Sequence, residues 1–140
     1  MAMYDVTRKG PIVRVREVMK TDIDIIDGMK TVGDALREMK HPETRTLIVD
    51  KRHDDDEYGV VMFRDIAQRV LAPDLSPDRI SAYEIMSKPA IGVDPKMDVR
   101  YCVKLFDRFG LSRAPVVENG QIVGLVSYTD IVLQSVALQD

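Results

Sequence analysis

The chain has 140 residues, 45% of them hydrophobic and 31% charged, with 8 Gly and 7 Pro. This is the composition of a globular domain, neither disordered nor collagenous, and a chain of this size can bury a sizeable core. A net charge of −3 argues against a nonspecific nucleic-acid binder, and the apolar runs fall far short of the ~20 residues of a membrane helix.

Residues 1–12 read as an N-terminal arm, and no apolar stretch follows Met1 to Gly10 that would make a signal peptide. The lone Cys102 cannot form an internal disulfide, so a cytoplasmic protein is expected. Residues 23–27 predict an extended stretch. An amphipathic helix capped by Thr31 follows, with Val32, Ala35, Leu36 and Met39 on one face. Two short strands, 46–49 and 58–63, are joined by the acidic run Asp54-Asp55-Asp56-Glu57, which reads as a solvated hairpin turn. Asp65 then caps a closing helix. Residues 72–79, with Pro73 and Pro77, form a linker that resists helix continuation.

The second half runs through the same elements. Ser81-x-x-Glu84 is a capping-box pattern that starts a short helix. Residues 90–94 are extended, and a helix capped by Asp98 carries Val99, Cys102, Val103 and Phe106 on one face. Gly110 stops it. Strands at 115–117 and 121–127 precede a closing helix capped by Asp130.

The order repeats because the sequence repeats. Val15-Arg16-Glu17-Val18-Met19 is matched by Ala82-Tyr83-Glu84-Ile85-Met86, and Thr31-Val32-x-x-Ala35-Leu36 by Asp98-Val99-x-x-Cys102-Val103 at the same spacing. Arg45-Thr46-Leu47-Ile48-Val49 is matched by Arg113-Ala114-Pro115-Val116-Val117 after a one-residue gap. Gly59-Val60-Val61-Met62-Phe63-Arg64-Asp65-Ile66 is matched by Gly124-Leu125-Val126-Ser127-Tyr128-Thr129-Asp130-Ile131 after a three-residue insertion. The expected fold is α+β: two β-α-β-β-α repeats, 13–71 and 80–137, packed about a pseudo-twofold axis. Neither half is large enough to bury its apolar faces alone.

These blocks, in this order and duplicated, resemble the CBS domain, the module named after cystathionine β-synthase. The resemblance covers nearly the whole chain, which is similar to a stand-alone tandem CBS pair. It implies two clefts between the halves that bind adenosine compounds such as AMP, ADP, ATP or S-adenosylmethionine. It also implies regulation of an effector protein whose identity the sequence does not give.

Asp130 is the leading candidate for a ribose contact, with Thr129 and Ser127 as hydroxyl partners beside a helix start that favours anions; its other reading is a plain N-cap. Asp65 holds the same place in the first copy, where Met62 and Arg64 replace the hydroxyl residues and Arg64 offers its charge to a phosphate instead. Arg113 and Arg45 precede equivalent strands and suit phosphate oxygens, and otherwise are surface charge. Ile91 lies in an extended stretch that in the family contacts the base; core packing is its other reading. Cys102 reads as a buried small hydrophobe.

No Gly-rich phosphate loop, nucleophile elbow or zinc-protease motif occurs. No serine, cysteine or histidine set suggests catalysis, so a non-enzymatic sensor is expected, with an adenine nucleotide as regulatory ligand and no obligatory cofactor. The alternative is a structural interaction module with no nucleotide bound. Leu105 and Phe109 widen the apolar stripe that Phe106 shares, which predicts a homodimer.

Overall fold

The computed structural model describes residues 11–139; the reading of Met1 to Gly10, including most of the expected arm, lies outside them. The elements run α1 (Val15–Val18), β1 (Ile25–Ile26), α2 (Val32–Arg37), β2 (Thr46–Val49), β3 (Gly59–Met62) and α3 (Phe63–Ile66), which continues as a π-helical stretch, Ala67–Leu71. The second half adds α4 (Ala82–Ile85), α5 (Val99–Phe109), β4 (Arg113–Glu118), β5 (Gln121–Ser127) and α6 (Tyr128–Gln139).

Local chemistry sets most boundaries. Thr31 Oγ1 accepts from Asp34 N (3.1 Å) at the start of α2. Asp98 Oδ1 accepts from Arg100 N (2.9 Å) at the start of α5. Gly110 ends α5 at φ +66°, a left-handed conformation that costs glycine no Cβ clash. In α4, Ser81 N donates to Glu84 Oε2 (2.6 Å), as the capping-box spacing requires.

In the first half, β1 pairs in parallel with β2 and β2 pairs antiparallel with β3. In the second, β4 and β5 form an antiparallel pair, but the extended stretch expected over 90–94 shrinks to one parallel bridge, Val93 to Val116. Proline explains the loss. The strand registers set Ile48 opposite Val60 and Pro115 opposite Leu125, which moves the match of these strands one residue from the expected alignment of Leu47 with Pro115. Ile48 N donates to Asp24 O in the first half, and its counterpart Pro115 has no N–H to give.

The closing helices begin three residues earlier than expected, at Phe63 and Tyr128, which corrects the roles of Asp65 and Asp130. Neither is an N-cap. Each sits in the first turn and reaches back: Asp65 Oδ2 accepts from Met62 N (2.9 Å), and Asp130 Oδ2 accepts from Ser127 N (3.2 Å) and Ser127 Oγ (2.9 Å). The aromatic residues before them, Phe63 and Tyr128, are drawn in against the two cores and carry the helices back with them. Tyr128 meets Phe106 edge-on, with ring centroids 5.0 Å apart.

The two cores exchange their opening helices. Val32, Ala35, Leu47, Val49, Val61, Ile66 and Val70 are closed over by Ala82 and Ile85 of the second copy. Val93, Val99, Cys102, Phe106, Ala114, Val116, Val126 and Ile131 are closed over by Val13, Val15 and Val18 of the first. Paired backbone hydrogen bonds fix both exchanges: Val60 with Ser87 (2.9 Å in both directions) and Lys20 with Leu125 (2.8 Å in both directions). A four-residue helix cannot nucleate a fold of its own. Each buried aliphatic side chain contributes on the order of 2 kcal/mol when a core covers it, and the core that does so here belongs to the other copy.

The acidic turn is solvated at Asp54 and Asp55, but Asp56 departs from the expectation. Its side chain is largely covered, pairs with Lys88 Nζ at 2.7 Å and accepts from Arg52 N at 2.9 Å. Phe106 is fully buried and Leu105 packs against the same core, whereas Phe109 stays 55% exposed.

Candidate functional site

The exchange builds two clefts, each walled by the closing-helix start of one copy and the opening segment of the other. Cleft A measures about 470 Å³ and is lined by Lys20, Asp22, Glu43, Thr44, Arg45, Arg113, Leu125, Ser127, Thr129, Asp130, Leu133 and Gln134. Cleft B measures about 140 Å³ and is lined by Val60, Met62, Arg64, Asp65, Ser87, Pro89, Ile91, Leu111, Arg113 and Pro115.

The candidate residues therefore sort into two groups. Asp130, Thr129, Ser127, Arg45 and Arg113 share cleft A. Asp65, Arg64 and Ile91 share cleft B, again with Arg113. Ile91 belongs to the same repeat as Asp130 but lies in the other cleft, because its segment crosses over with α4.

In cleft A, one oxygen of Asp130 is held by Ser127, and the other, Oδ1, lies 3.6 Å from Lys20 Nζ. The carboxylate is only 12% exposed, the ammonium 58%. A carboxylate oriented this way has acceptor capacity left for hydroxyl donors. Thr129 adds an exposed hydroxyl. Arg113 Nη1 donates to the Thr44 carbonyl across the boundary between halves. Burial, then the like charge of Arg45, holds the Arg113 guanidinium below its usual pKa, and Asp130 opposes that shift. Two guanidinium groups close enough to repel, beside a hydroxyl and an anchored carboxylate, make a pocket suited to a polar ligand that carries both hydroxyls and negative charge.

Cleft B presents different chemistry. Met62 replaces Ser127, so the Asp65 carboxylate is steadied by the Met62 N–H without a hydroxyl partner. Its walls are largely apolar, through Val60, Met62, Pro89, Ile91, Leu111 and Pro115.

Lys20, Asp22, Glu43 and Thr44 of cleft A were missed by sequence reasoning. Lys20 directly follows the first repeat block, but nothing in a linear repeat says that it faces the second. Cys102 is buried, and burial pushes its thiol up to about 11, which leaves it protonated and inert. Among the described residues, no group of three or more His, Cys, Asp or Glu side chains is placed to hold a metal ion, and no helix is long and apolar enough to cross a membrane.

The CBS domain pattern matches residues 15–72 and again 82–136, so the chain belongs to the CBS domain family and carries the domain twice. An uncharacterized protein of Methanopyrus kandleri is 34% identical over 123 residues, covering 85% of this chain and 61% of that protein. The chain thus spans under two thirds of the length of that relative. Hypoxic response protein 1 of Mycobacterium tuberculosis is 24% identical over 116 residues, covering 83% and 80%. Among solved structures, a hexameric CBS-CP12 protein from bloom-forming cyanobacteria superposes with a TM-score of 0.84 at 37% identity, covering 89% of this chain and 72% of that one. The CBS domain pair of protein MJ0100, in complex with 5′-methylthioadenosine and S-adenosyl-L-methionine, superposes at 0.73 with 20% identity, covering 86% and 98%. At that identity the likeness is one of fold.

Proposed function

We propose that this CBS pair is a regulatory, non-enzymatic module that binds an adenosine-containing ligand in cleft A and alters its contacts with an effector protein. The observation that carries this reading is the anchored Asp130 carboxylate facing Arg45 and Arg113 across a cleft of about 470 Å³. Asp130 accepts the ribose hydroxyls, Thr129 and the two arginines receive phosphate or another anionic group, and Leu125 and Leu133 supply apolar contact. The complex of the MJ0100 domain pair with adenosyl compounds supports the ligand class. Because each cleft is walled by both halves, a ligand stabilises one arrangement of the halves over others. That differential affinity is what a sensor requires.

A thermal-shift panel of AMP, ADP, ATP, S-adenosylmethionine and NAD tests the reading. A ligand that binds the native state alone raises the melting temperature by mass action. At least one adenosine compound should raise it, and inorganic phosphate at equal concentration should not. A flat response across the panel contradicts the reading.

A second reading, self-association through an apolar face, has its own observation. Val132, Leu133 and Val136 of α6 are each more than half exposed, a concentration of apolar surface that marks contact sites. We propose a homodimer through this face. Sedimentation at tens of micromolar (roughly where obligate dimers persist) should give twice the chain mass.

A further inference from the structure

Arg113 lines cleft A and cleft B alike, whereas Arg45, which the strand registers place one position before the true counterpart of Arg113, Thr46, lines cleft A. The Arg113 guanidinium rests on the Thr44 carbonyl, in the wall of cleft A. That carbonyl also accepts from Thr46 Oγ1 at 2.9 Å. It therefore keeps a donor when Arg113 leaves, and no buried acceptor is orphaned by the move. The charge of Arg45 pushes against Arg113 while cleft A is empty. A phosphate placed between the two neutralises both and reverses that push.

Resting on the nucleotide reading of the clefts, we propose that Arg113 couples them: a phosphate-bearing ligand in cleft A holds the guanidinium there and weakens a second phosphate-bearing ligand in cleft B. One planar guanidinium serves one phosphate at a time through its fork of donors. With cleft A empty, Arg113 is free to leave the Thr44 carbonyl and meet a phosphate placed in cleft B beside Arg64. With cleft A filled, cleft B has Arg64 as its cation. The antagonism is reciprocal, as linkage requires of any coupling free energy. It is confined to ligands that carry phosphate, so a neutral nucleoside in one cleft leaves the other unchanged. A hydrogen bond to a charged group is worth enough that its loss lowers affinity about tenfold.

Calorimetry on the full chain with ADP and with adenosine tests this. In Thr129→Trp, and in Gln134→Trp as a second block, an exposed cleft A position is filled and cleft B remains. ADP should then bind cleft B about tenfold more tightly than in the second step on the wild-type chain. In Arg113→Gln the two ADP steps should become independent. Adenosine should show independent sites throughout. If the cleft B constant for ADP is the same with cleft A filled or blocked, or if antagonism persists in Arg113→Gln, the coupling is overturned while nucleotide binding stands. If neither ADP nor adenosine binds the wild-type chain, the nucleotide reading falls and the coupling with it.

Discussion

Cleft A and cleft B hold equivalent places in the two repeats, yet two side-chain exchanges separate their chemistry: Ser127 and Thr129 in one stand where Met62 and Arg64 stand in the other. Ser127 anchors Asp130 with a hydroxyl and a backbone N–H, and Lys20 stands beyond at 3.6 Å. Met62 steadies Asp65 with its N–H and otherwise offers a thioether. The pair teaches that a duplicated scaffold can keep its carboxylate for structure, as a helix-turn anchor, while the residues three positions and one position earlier decide whether a polar site forms around it.

The comparison rests on each cleft being built from both repeats, and that can be broken with the largest effect. Ile85 is buried with Leu47 and Val61 of the other copy. Ile85→Ala should cost about 2–5 kcal/mol. Hydrogen exchange should rise first in β2 and β3, not in the β4–β5 pair of its own repeat. Faster exchange confined to β4 and β5 would contradict the swapped cores.

The clefts themselves separate next. Asp130→Ala should weaken adenosine-ligand binding about tenfold or more, and Asp65→Ala should leave the same binding step nearly unchanged. Asp130→Ala also removes a helix-start hydrogen bond worth about 1 kcal/mol, so Asp130→Asn, which preserves that bond, must be measured beside it. Asparagine binding as tightly as wild type would remove Asp130 from the ribose role.

A smaller effect sharpens the contrast from the other side. Met62→Ser grafts the cleft A hydroxyl onto cleft B. It should strengthen ligand binding there severalfold, at a modest cost in stability because Met62 is partly buried. Unchanged affinity at cleft B would show that the hydroxyl is not what distinguishes the two.

The smallest effect concerns the ion pair that ties the β2–β3 turn to Lys88, the residue between Ser87 and Pro89 of cleft B. The Lys88 ammonium and the Arg52 N–H hold the Asp56 carboxyl well below its usual range. A depressed folded-state pKa adds stability that is present above the unfolded value, about 4, and is lost as pH falls through the folded value. Melting temperatures taken downward from pH 5 should therefore drop more steeply for wild type than for Asp56→Asn. Parallel curves would show that the ion pair adds nothing to stability.

Much of this was legible in the residues. The recurrence of Gly-apolar-apolar-x-x-x-Asp-apolar marked both closing segments, and Thr31, Asp98 and Gly110 announced helix ends through chemistry that acts within four residues. What stayed hidden depends on distance through the fold. The exchange of α1 and α4 leaves no local trace, so Lys20 and Asp22 were missed and Ile91 could not be assigned to a cleft. The lost bridge in the second half was written in Pro115, but only the parallel register shows which N–H is missing. The start of α6 is set by the pull of Tyr128 onto Phe106, which outweighs the capping preference of Asp130 for the position just before a helix.

The central claim is that cleft A is the tighter adenosine site and cleft B the weaker one. Amide chemical-shift mapping of the wild-type chain during titration with ADP tests it most directly. The account predicts shifts concentrated at Lys20, Thr44, Arg45 and Ser127 to Asp130 at low ligand, with Val60 to Asp65 responding only at higher concentration. Shifts that appear first around Val60 to Asp65 and Ile91, or no saturable shifts at either cleft, would contradict it.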